Sequence, residues 1–333
     1  MGPAVVGPPM PISVLLPEGD VPPVRFANRA EELGYDALWT GELWGRDAFV
    51  TLARAAAATD TLDLGTAIVN AYSRTPAAIA QATATLDDAA DGRVRLGIGT
   101  STETAIENVH GLSFDRPARR LHETVELARS ILGGDGRVNY DGELVSAEGV
   151  PALDADVPVY AAALGPATRR ATGRVADGWL PHNVPFEDLE NAYEVVADAA
   201  REPGRDPDLH VAPYVPSAVA DDPDEASAAI RRHLAYYVGS GEGYRRAVAD
   251  RFPEAADRVA TAWHEGDRDA ARAAVTDGMV AALGVAGTPQ SAREQLRAIA
   301  AIDVIDEPIV VVPTGTSEPL RRRTIDELSP ERL

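Results

Sequence analysis

The feature that most constrains this chain is a regular alternation of short apolar runs with longer, alanine-rich runs. The short runs have the length and β-branched content of buried strands, and the longer runs carry apolar residues at helical spacing. This alternation predicts an α/β fold built on a parallel sheet. The predicted strands cover residues 12–16, 37–40, 62–69, 94–99, 157–162, 178–180, 211–220 and 309–312.

A predicted helix follows each strand, and several of these helices have recognisable ends. Thr75 before Pro76 and Thr288 before Pro289 are typical of an N-cap followed by a first-turn proline. Gly34 is placed to close the first helix. The predicted helices cover residues 22–33, 47–59, 76–90, 117–132, 165–175, 186–201, 224–238 and 320–328, with one more starting at Thr288.

Strands that each lead into a helix, eight times over, predict a single (β/α)8 TIM barrel. A doubly wound sheet would need a glycine-rich phosphate turn after the first strand, and residues 17–20 do not supply one. Two segments do not belong to this strand–helix repeat. One is a hairpin-like segment with Asp141-Gly142 as its turn, and the other is a charged helical stretch at 239–283. We therefore expect one domain over residues 1–333, with insertions after strands 4 and 7 and with function at the carboxyl ends of the strands.

The charge of the chain limits its partners. There are 52 acidic and 31 basic residues, a net charge of −21, and every basic residue is arginine. This field disfavours nucleic acid and anionic membranes. The excess of acidic residues reflects either an acidic binding face or adaptation to a cytosol with molar salt, where repulsion between carboxylates is screened. Because the charge is spread evenly, we expect a halophilic, archaeal protein.

Several function classes are disfavoured by what the sequence lacks. Without cysteine there is no disulfide, thiolate nucleophile or cysteine metal site, and the six histidines show no metal-binding spacing. No apolar run approaches the ~20 residues of a membrane helix, and the N-terminus does not resemble a signal peptide. We therefore expect a cytoplasmic protein without a metal site.

Small or polar residues follow the predicted strands, where a barrel places its site. Glu42 and Trp44 have two interpretations. They are a functional acid next to a flat ring, or they are a solvated carboxylate and an indole at the rim of the barrel. The glycines and alanines ending strands three to five either admit a planar ligand or pack tightly. The set suits a large aromatic cofactor that performs the chemistry itself. Its members are Glu42, Trp44, Asn70, Thr100, Ser101, Glu107, Ala162, Ala163, Gly165 and Asn183.

Dispersed motifs of the chain are similar to those of one known superfamily. They are ELGYD at 32–36, LGTAI at 64–68, LGIGT at 96–100, VPVY at 157–160, ADG at 176–178 and AGTP at 286–289. Together they resemble the luciferase-like monooxygenases, and most closely the coenzyme F420-dependent oxidoreductases, which include methylenetetrahydromethanopterin reductase.

The resemblance implies a hydride transfer between C5 of the deazaflavin F420 and an electrophilic carbon of a small substrate. That carbon belongs to a methylene-tetrahydropterin-like unit, a carbonyl or an alcohol. Two alternatives share the fold: an FMN-dependent monooxygenase and a non-catalytic coenzyme-binding homologue. A homodimer or higher homo-oligomer is expected.

The resemblance also assigns roles to individual residues. Family members hold a non-proline cis peptide in a bulge of strand three, behind the coenzyme ring, and here it falls at Ala67–Ile68. The remaining coenzyme contacts are expected from Trp44, Asn70, Thr100, Ser101, Ala162, Ala163, Gly165 and Asn183.

The end of strand two departs from the family pattern. Dehydrogenase relatives carry an Asp-His pair there, whereas this chain has Gly41-Glu42. Glu42 is therefore the leading candidate for a catalytic acid, and Glu107 is the second. Because no lysine is available to hold a phosphate, Arg46 and Arg74 are the candidate anchors.

Overall fold

A computed structural model describes residues 11–333, with a parallel sheet at its centre. The short apolar runs form its strands, as the alternation predicts. In chain order the strands are β1 Ser13–Leu15, β2 Ala37–Thr40, β3 Asp63–Thr66, β4 Val69–Asn70, β5 Val94–Gly99, β6 Arg137–Asp141, β7 Ser146–Pro151, β8 Val159–Ala162, β9 Gly178–Trp179, β10 His210–Val211, β11 Tyr214–Val219, β12 Val285–Gly287 and β13 Ile309–Val311.

The order of the sheet shows that it is curled. It runs β10-β9-β8-β5-β3-β2-β1-β13-β11-β12, with β4 beside β5, while β6 and β7 form a separate hairpin. Strands β10 and β11 lie near opposite ends of this order, yet only residues 212–213 separate them in the chain. The N–H of Ala212 donates to the carbonyl of Trp179 over 3.0 Å, and that of Ile309 donates to Pro213 over 2.8 Å. One short stretch of chain therefore joins the two sides of the sheet.

The helices pack against the sheet and account for the alanine-rich runs. They are α1 Pro23–Glu32, α2 Ala48–Ala56, α3 Pro76–Ala89, α4 Glu103–Asn108, α5 Pro117–Gly133, α6 Pro166–Val175, α7 Leu189–Arg201, α8 Pro223–Ser240, α9 Glu242–Ala249, α10 Pro253–His264, α11 Arg268–Ala274, α12 Asp277–Leu283, α13 Pro289–Ala300 and α14 Glu318–Glu327; short 3₁₀ turns occupy Phe186–Asp188 and Pro330–Arg332.

Two predicted strands are interrupted in the structure. The strand predicted at 62–69 stops after Thr66 and resumes at Val69 as β4. The strand predicted at 211–220 begins one residue earlier and breaks at 212–213, where Pro213 has no N–H to donate to a ladder. After the first break β4 pairs with β5, and after the second β11 pairs with β13 whereas β10 pairs with β9.

Some predicted loops and caps also differ. Residues 103–108 belong to none of the predicted helices, yet they form α4, whose N-cap Thr102 accepts through its hydroxyl from the N–H of Ala105 over 3.3 Å. Thr75 caps α3 as predicted, accepting from Ala78. Thr288 occupies the N-cap position of α13 with Pro289 in the first turn, as predicted, but its side chain makes no capping hydrogen bond.

Both predicted insertions are structured. The excursion after strand four is the β6–β7 hairpin, with a four-residue connection at 142–145 rather than a tight two-residue turn. The stretch at 239–283 is helical and contains α9 to α12, which share an apolar cluster with α8 that is separate from the main core. Within residues 11–333, no helix has the length and apolar character needed to cross a membrane.

A network of buried charges lies at the amino-terminal end of the sheet. The carboxylate of Glu307 is 1% exposed and accepts from Nη1 of Arg95 over 2.5 Å and from the Ser13 hydroxyl. Arg95 also donates to Asp63 over 2.7 Å. The Nε2 of His210 lies 3.7 Å from the Glu307 carboxylate. These contacts join β1, β3, β5, β10 and the segment before β13.

We predict that Glu307→Gln lowers the free energy of unfolding by about 3 kcal/mol, because breaking a buried ion pair leaves its partner incompletely compensated. Equilibrium denaturation measures this change. Glu143→Gln is the matched control, since Glu143 pairs with Arg116 and Arg119 at the surface and its loss leaves stability nearly unchanged. Equal effects of the two substitutions would contradict the structural role of Glu307.

Candidate active site

A cavity of about 530 Å³ opens at the carboxyl ends of the strands, within the size range of small-molecule sites. Its lining comes from the ends of β1, β2, β3, β5, β8, β9 and β13 and from helices α8 and α9. In the part of the chain that the structure describes, no three His, Asp or Glu side chains are grouped to hold a metal ion. The predicted site residues that line the cavity are Glu42, Trp44, Ala67, Ile68, Ser101 and Ala162.

The gap between β3 and β4 forms one wall of this cavity. The Ala67–Ile68 peptide bond is cis, as predicted. The N–H of Ala67 donates to Thr40 over 2.7 Å, and the N–H of Glu42 donates to Ile68 over 3.1 Å. The end of β2 is thereby tied to the bulge. Ala67 and Ile68 then present an apolar surface to the cavity.

The glycines of β3 and β5 make room for protein atoms. A Cβ on Gly65 would lie 2.2 Å from the Trp39 ring, and one on Gly97 would lie 2.0 Å from the Thr66 carbonyl. A Cβ on Gly99 would meet the side chain of Ile68 at 2.9 Å. Tight packing, rather than a ligand, therefore explains these glycines, and Gly99 sets the position of Ile68 in the cavity wall.

Glu42 lies at the cavity as part of an ion pair. Its two carboxylate oxygens accept from Nε and Nη2 of Arg74 over 3.1 and 2.9 Å, and one of them also accepts from the N–H of Ala48 over 3.0 Å. Arg74 also binds Asp47, and the hydrogen bonds to Glu42 and then Asp47 raise the pKa of Arg74. Both carboxylate oxygens are thus occupied by hydrogen bonds within the protein, an arrangement that favours shaping the loop over donating a proton.

The outer rim of the cavity carries the indole and the charges. Trp44 is 53% exposed. Arg46 donates to the carbonyl of Gly19 over 2.8 Å and supplies the only guanidinium among the described lining residues, beside the carboxylates of Glu18 and Asp20. Of the two predicted anchors, Arg46 is the one available to an anionic ligand, since Arg74 is engaged by Glu42.

An aromatic wall, formed by His182, Tyr214, Tyr236, Tyr237 and Tyr244, faces the same cavity. His182 follows β9, Tyr214 begins β11, and the other three belong to α8 and α9. Burial raises the pKa of Tyr244 to about 12 and also raises that of Tyr214. The wall is therefore polar but uncharged at neutral pH.

Sequence reasoning missed most of the aromatic wall. His182 directly precedes the predicted Asn183, but the four tyrosines lie in β11, α8 and α9, where the sequence offers no motif. The available signal was Tyr237 four residues after His233, a spacing that puts both rings on one face of α8.

Two of the remaining predicted residues make local contacts away from the cavity lining. Asn70 is buried, and its side-chain oxygen accepts from Tyr72 and Ser73 in a turn. Glu107 is exposed and accepts from the N–H of Phe114 over 3.3 Å. Their predicted roles stay predictions, without support from these contacts.

The other predicted residues are not among those that line the cavity. Thr100 adjoins Ser101, and Ala163 is buried with its carbonyl bound to the Trp179 indole over 2.9 Å. Gly165 precedes α6, where a Cβ would meet nothing within 4 Å. Both amide atoms of Asn183 are buried and have no partner among residues 11–333. The coenzyme contacts expected of these residues also stay predictions.

Comparison with known proteins places the chain in a family. It belongs to the luciferase-like monooxygenase family, whose profile matches residues 23–304. It is 31% identical over 288 residues to the 5,10-methylenetetrahydromethanopterin reductase of Methanolobus tindarius, covering 84% of this chain and 87% of the relative.

Solved structures agree with this placement. The coenzyme F420-dependent tetrahydromethanopterin reductase of Methanopyrus kandleri superposes with a TM-score of 0.81 at 25% identity, covering 96% of this chain and 97% of that one. An F420-dependent secondary alcohol dehydrogenase superposes with a TM-score of 0.77 at 19% identity, covering 97% and 98%. At 19% identity, the similarity to the secondary alcohol dehydrogenase shows the fold alone.

We predict that Glu42→Gln and Arg74→Met lower kcat/KM by a similar factor of about ten, and that the double variant is no worse than either. Each substitution breaks the same ion pair and loosens the loop from residue 41 to 47. Glu327→Gln breaks an equally enclosed pair with Arg293 away from the cavity and serves as the control. A loss confined to Glu42→Gln would favour the acid role instead.

Proposed function

We propose that this chain is a coenzyme F420-dependent oxidoreductase. The observation that carries the proposal is the cavity at the carboxyl ends of the strands, one wall of which is the apolar surface of Ala67 and Ile68. The similarity to a methylenetetrahydromethanopterin reductase and to the F420-dependent enzyme of Methanopyrus kandleri supports it.

The fold is proposed to be a complete (β/α)8 barrel in one domain. In this interpretation β3 and β4 form one barrel strand across the bulge, and β10 and β11 form another across residues 212–213. With β1, β2, β5, β8, β9 and β13 they make eight strands. The hairpin and α9–α12 are then insertions after strands 4 and 7.

The residues of the cavity fit a planar deazaflavin. Ala67, Ile68 and Ala162 offer a flat apolar surface, and Ser101 stands at its edge with a hydroxyl. Arg46 is placed to pair with the anionic tail of the coenzyme. When bound, F420 supplies hydride chemistry at C5 of its ring. The chain's own residues position that ring and exclude water from one of its faces.

The substrate is proposed to be a small molecule with an electrophilic carbon, either methylene-tetrahydropterin-like or a carbonyl–alcohol pair. Its site is the space between the apolar surface of the bulge and the aromatic wall, because the reacting carbon must approach the ring face from the open side of the cavity.

We predict that F420 binds with a saturable change in its absorbance, and that Ala162→Leu weakens this binding at least about tenfold by filling the ring position. Ala301→Leu, at an exposed position outside the cavity, is the control. Titration of the purified protein with F420 and, separately, FMN measures both affinities. Saturable FMN binding with no response to F420 would overturn the coenzyme assignment and favour the monooxygenase alternative.

The halophilic character is likewise proposed, on the strength of the net charge of −21. We predict that raising KCl from about 0.1 M to about 2 M increases the thermal midpoint, because screening reduces repulsion between carboxylates. Sucrose serves as an uncharged control for general solvent exclusion. A thermal midpoint that does not change with KCl would contradict the halophilic character. A cytoplasmic location, an archaeal source and a homodimer stay predictions.

A further inference from the structure

One side chain of the aromatic wall combines a fixed position with a free polar atom. The His182 ring stacks on Tyr214 with centroids 4.8 Å apart, and Tyr237 and Tyr244 meet it edge-on at 4.5 and 5.3 Å. Three neighbours on three different elements, β11, α8 and α9, therefore hold the imidazole in one orientation at the cavity.

A second histidine lies behind the first. The Nε2 atoms of His182 and His233 are 3.5 Å apart. Burial, and then the neighbouring His233, holds the pKa of His182 well below its usual range, and burial lowers that of His233 to about 3. When both imidazoles are neutral, only one of the two Nε2 atoms can carry the hydrogen that lies between them. The tautomer of His233 therefore determines the tautomer of His182.

The other ring nitrogen of His182, Nδ1, makes no hydrogen bond within residues 11–333, and the side chain lines the cavity. If His233 donates through Nε2, then His182 carries its hydrogen on Nδ1 and presents a donor. In the opposite tautomer His182 presents an acceptor.

The competing acid of the cavity is already engaged. Glu42 is bound by Arg74 and by the Ala48 amide, whereas His182 lines the cavity with Nδ1 unpartnered among the described residues. An uncharged wall also disfavours a carboxylate or phosphate at this point, because no cation is present there to compensate it.

We propose that His182 is a catalytic residue that hydrogen-bonds through Nδ1 to the uncharged carbonyl or hydroxyl oxygen of the substrate, and that His233 is a positioning residue that sets the His182 tautomer. This inference rests on the proposed function. In the reducing direction the substrate carbon gains a hydride from reduced F420, the π pair of the C=O bond moves to oxygen, and the oxygen takes up a proton whose net source is solvent. Nδ1–H of His182 stabilises the charge that develops on that oxygen.

The first experiment measures oxidation of reduced F420 with a panel of aliphatic and aromatic aldehydes and ketones. His182→Phe keeps the ring packing without its nitrogens and lowers kcat about 100-fold with little change in KM. His182→Asn places an amide near the Nδ1 position and recovers at least about tenfold of that loss. His122→Asn, on α5 outside the cavity, leaves kcat unchanged.

The second experiment reads the tautomer without the coenzyme. In ¹⁵N-histidine-labelled protein, the His182 resonances show one neutral tautomer in the wild type and a mixture in His233→Leu. His233→Gln, whose amide replaces Nε2, restores both the single tautomer and kcat. Unchanged resonances in His233→Leu would overturn the positioning role.

The outcomes separate the two proposals. Normal F420 binding with kcat of His182→Phe within about twofold of wild type overturns the catalytic role alone. Normal F420 binding with no turnover of any carbonyl in the panel overturns the substrate class. Absence of F420 binding in the wild type overturns the proposed function, and the catalytic role with it, while the tautomer measurement still decides the coupling of the two histidines.

Discussion

The buried carboxylate of Glu307 is the interaction on which the arrangement of the strands depends. Through Ser13, Arg95 and His210 it reaches three strands that are far apart in sequence. The charges compensate one another inside the curled sheet, where unpaired charge would be costly. Because this network holds the sheet together at the amino-terminal end of the strands, the carboxyl end does not need to. The carboxyl end can therefore form a cavity lined by small side chains.

At that opposite end the structure is determined by backbone constraints. The cis bulge at Ala67–Ile68 is held by hydrogen bonds to Thr40 and Glu42 and by the absence of a side chain at Gly99. The Glu42–Arg74 pair extends this control to the loop after β2. Strand geometry, loop geometry and the apolar face of the cavity therefore form one connected unit.

The sequence predicts much of the fold because the governing signals are local. Apolar runs, Thr75 with Pro76, and the charged helical stretch each report on their own segment. The break at Pro213 was also readable, since a proline interrupts a strand ladder. The rule that function lies at strand ends brought Glu42, Ser101 and Ala162 to the cavity. The resemblance supplied the cis bond.

What the sequence could not give is the partner of each residue. His182 and His233 are 51 positions apart, and their contact depends on how α8 packs across the sheet. The ion pair of Glu42 with Arg74 spans 32 positions and changes the chemistry expected of that carboxylate. Such contacts follow from tertiary packing, which cannot be predicted from the spacing of residues in the sequence.

Helices α8 and α9 belong to an apolar cluster that is separate from the main core, and they contribute three of the five side chains of the aromatic wall. The two faces of the cavity are thus built by different parts of the chain. Substitutions on α8 and α9 can accumulate without disturbing the bulge or the buried charges at the base of the sheet. A lineage of such proteins can therefore acquire new substrates by divergence within one contiguous segment, while the coenzyme surface is inherited intact.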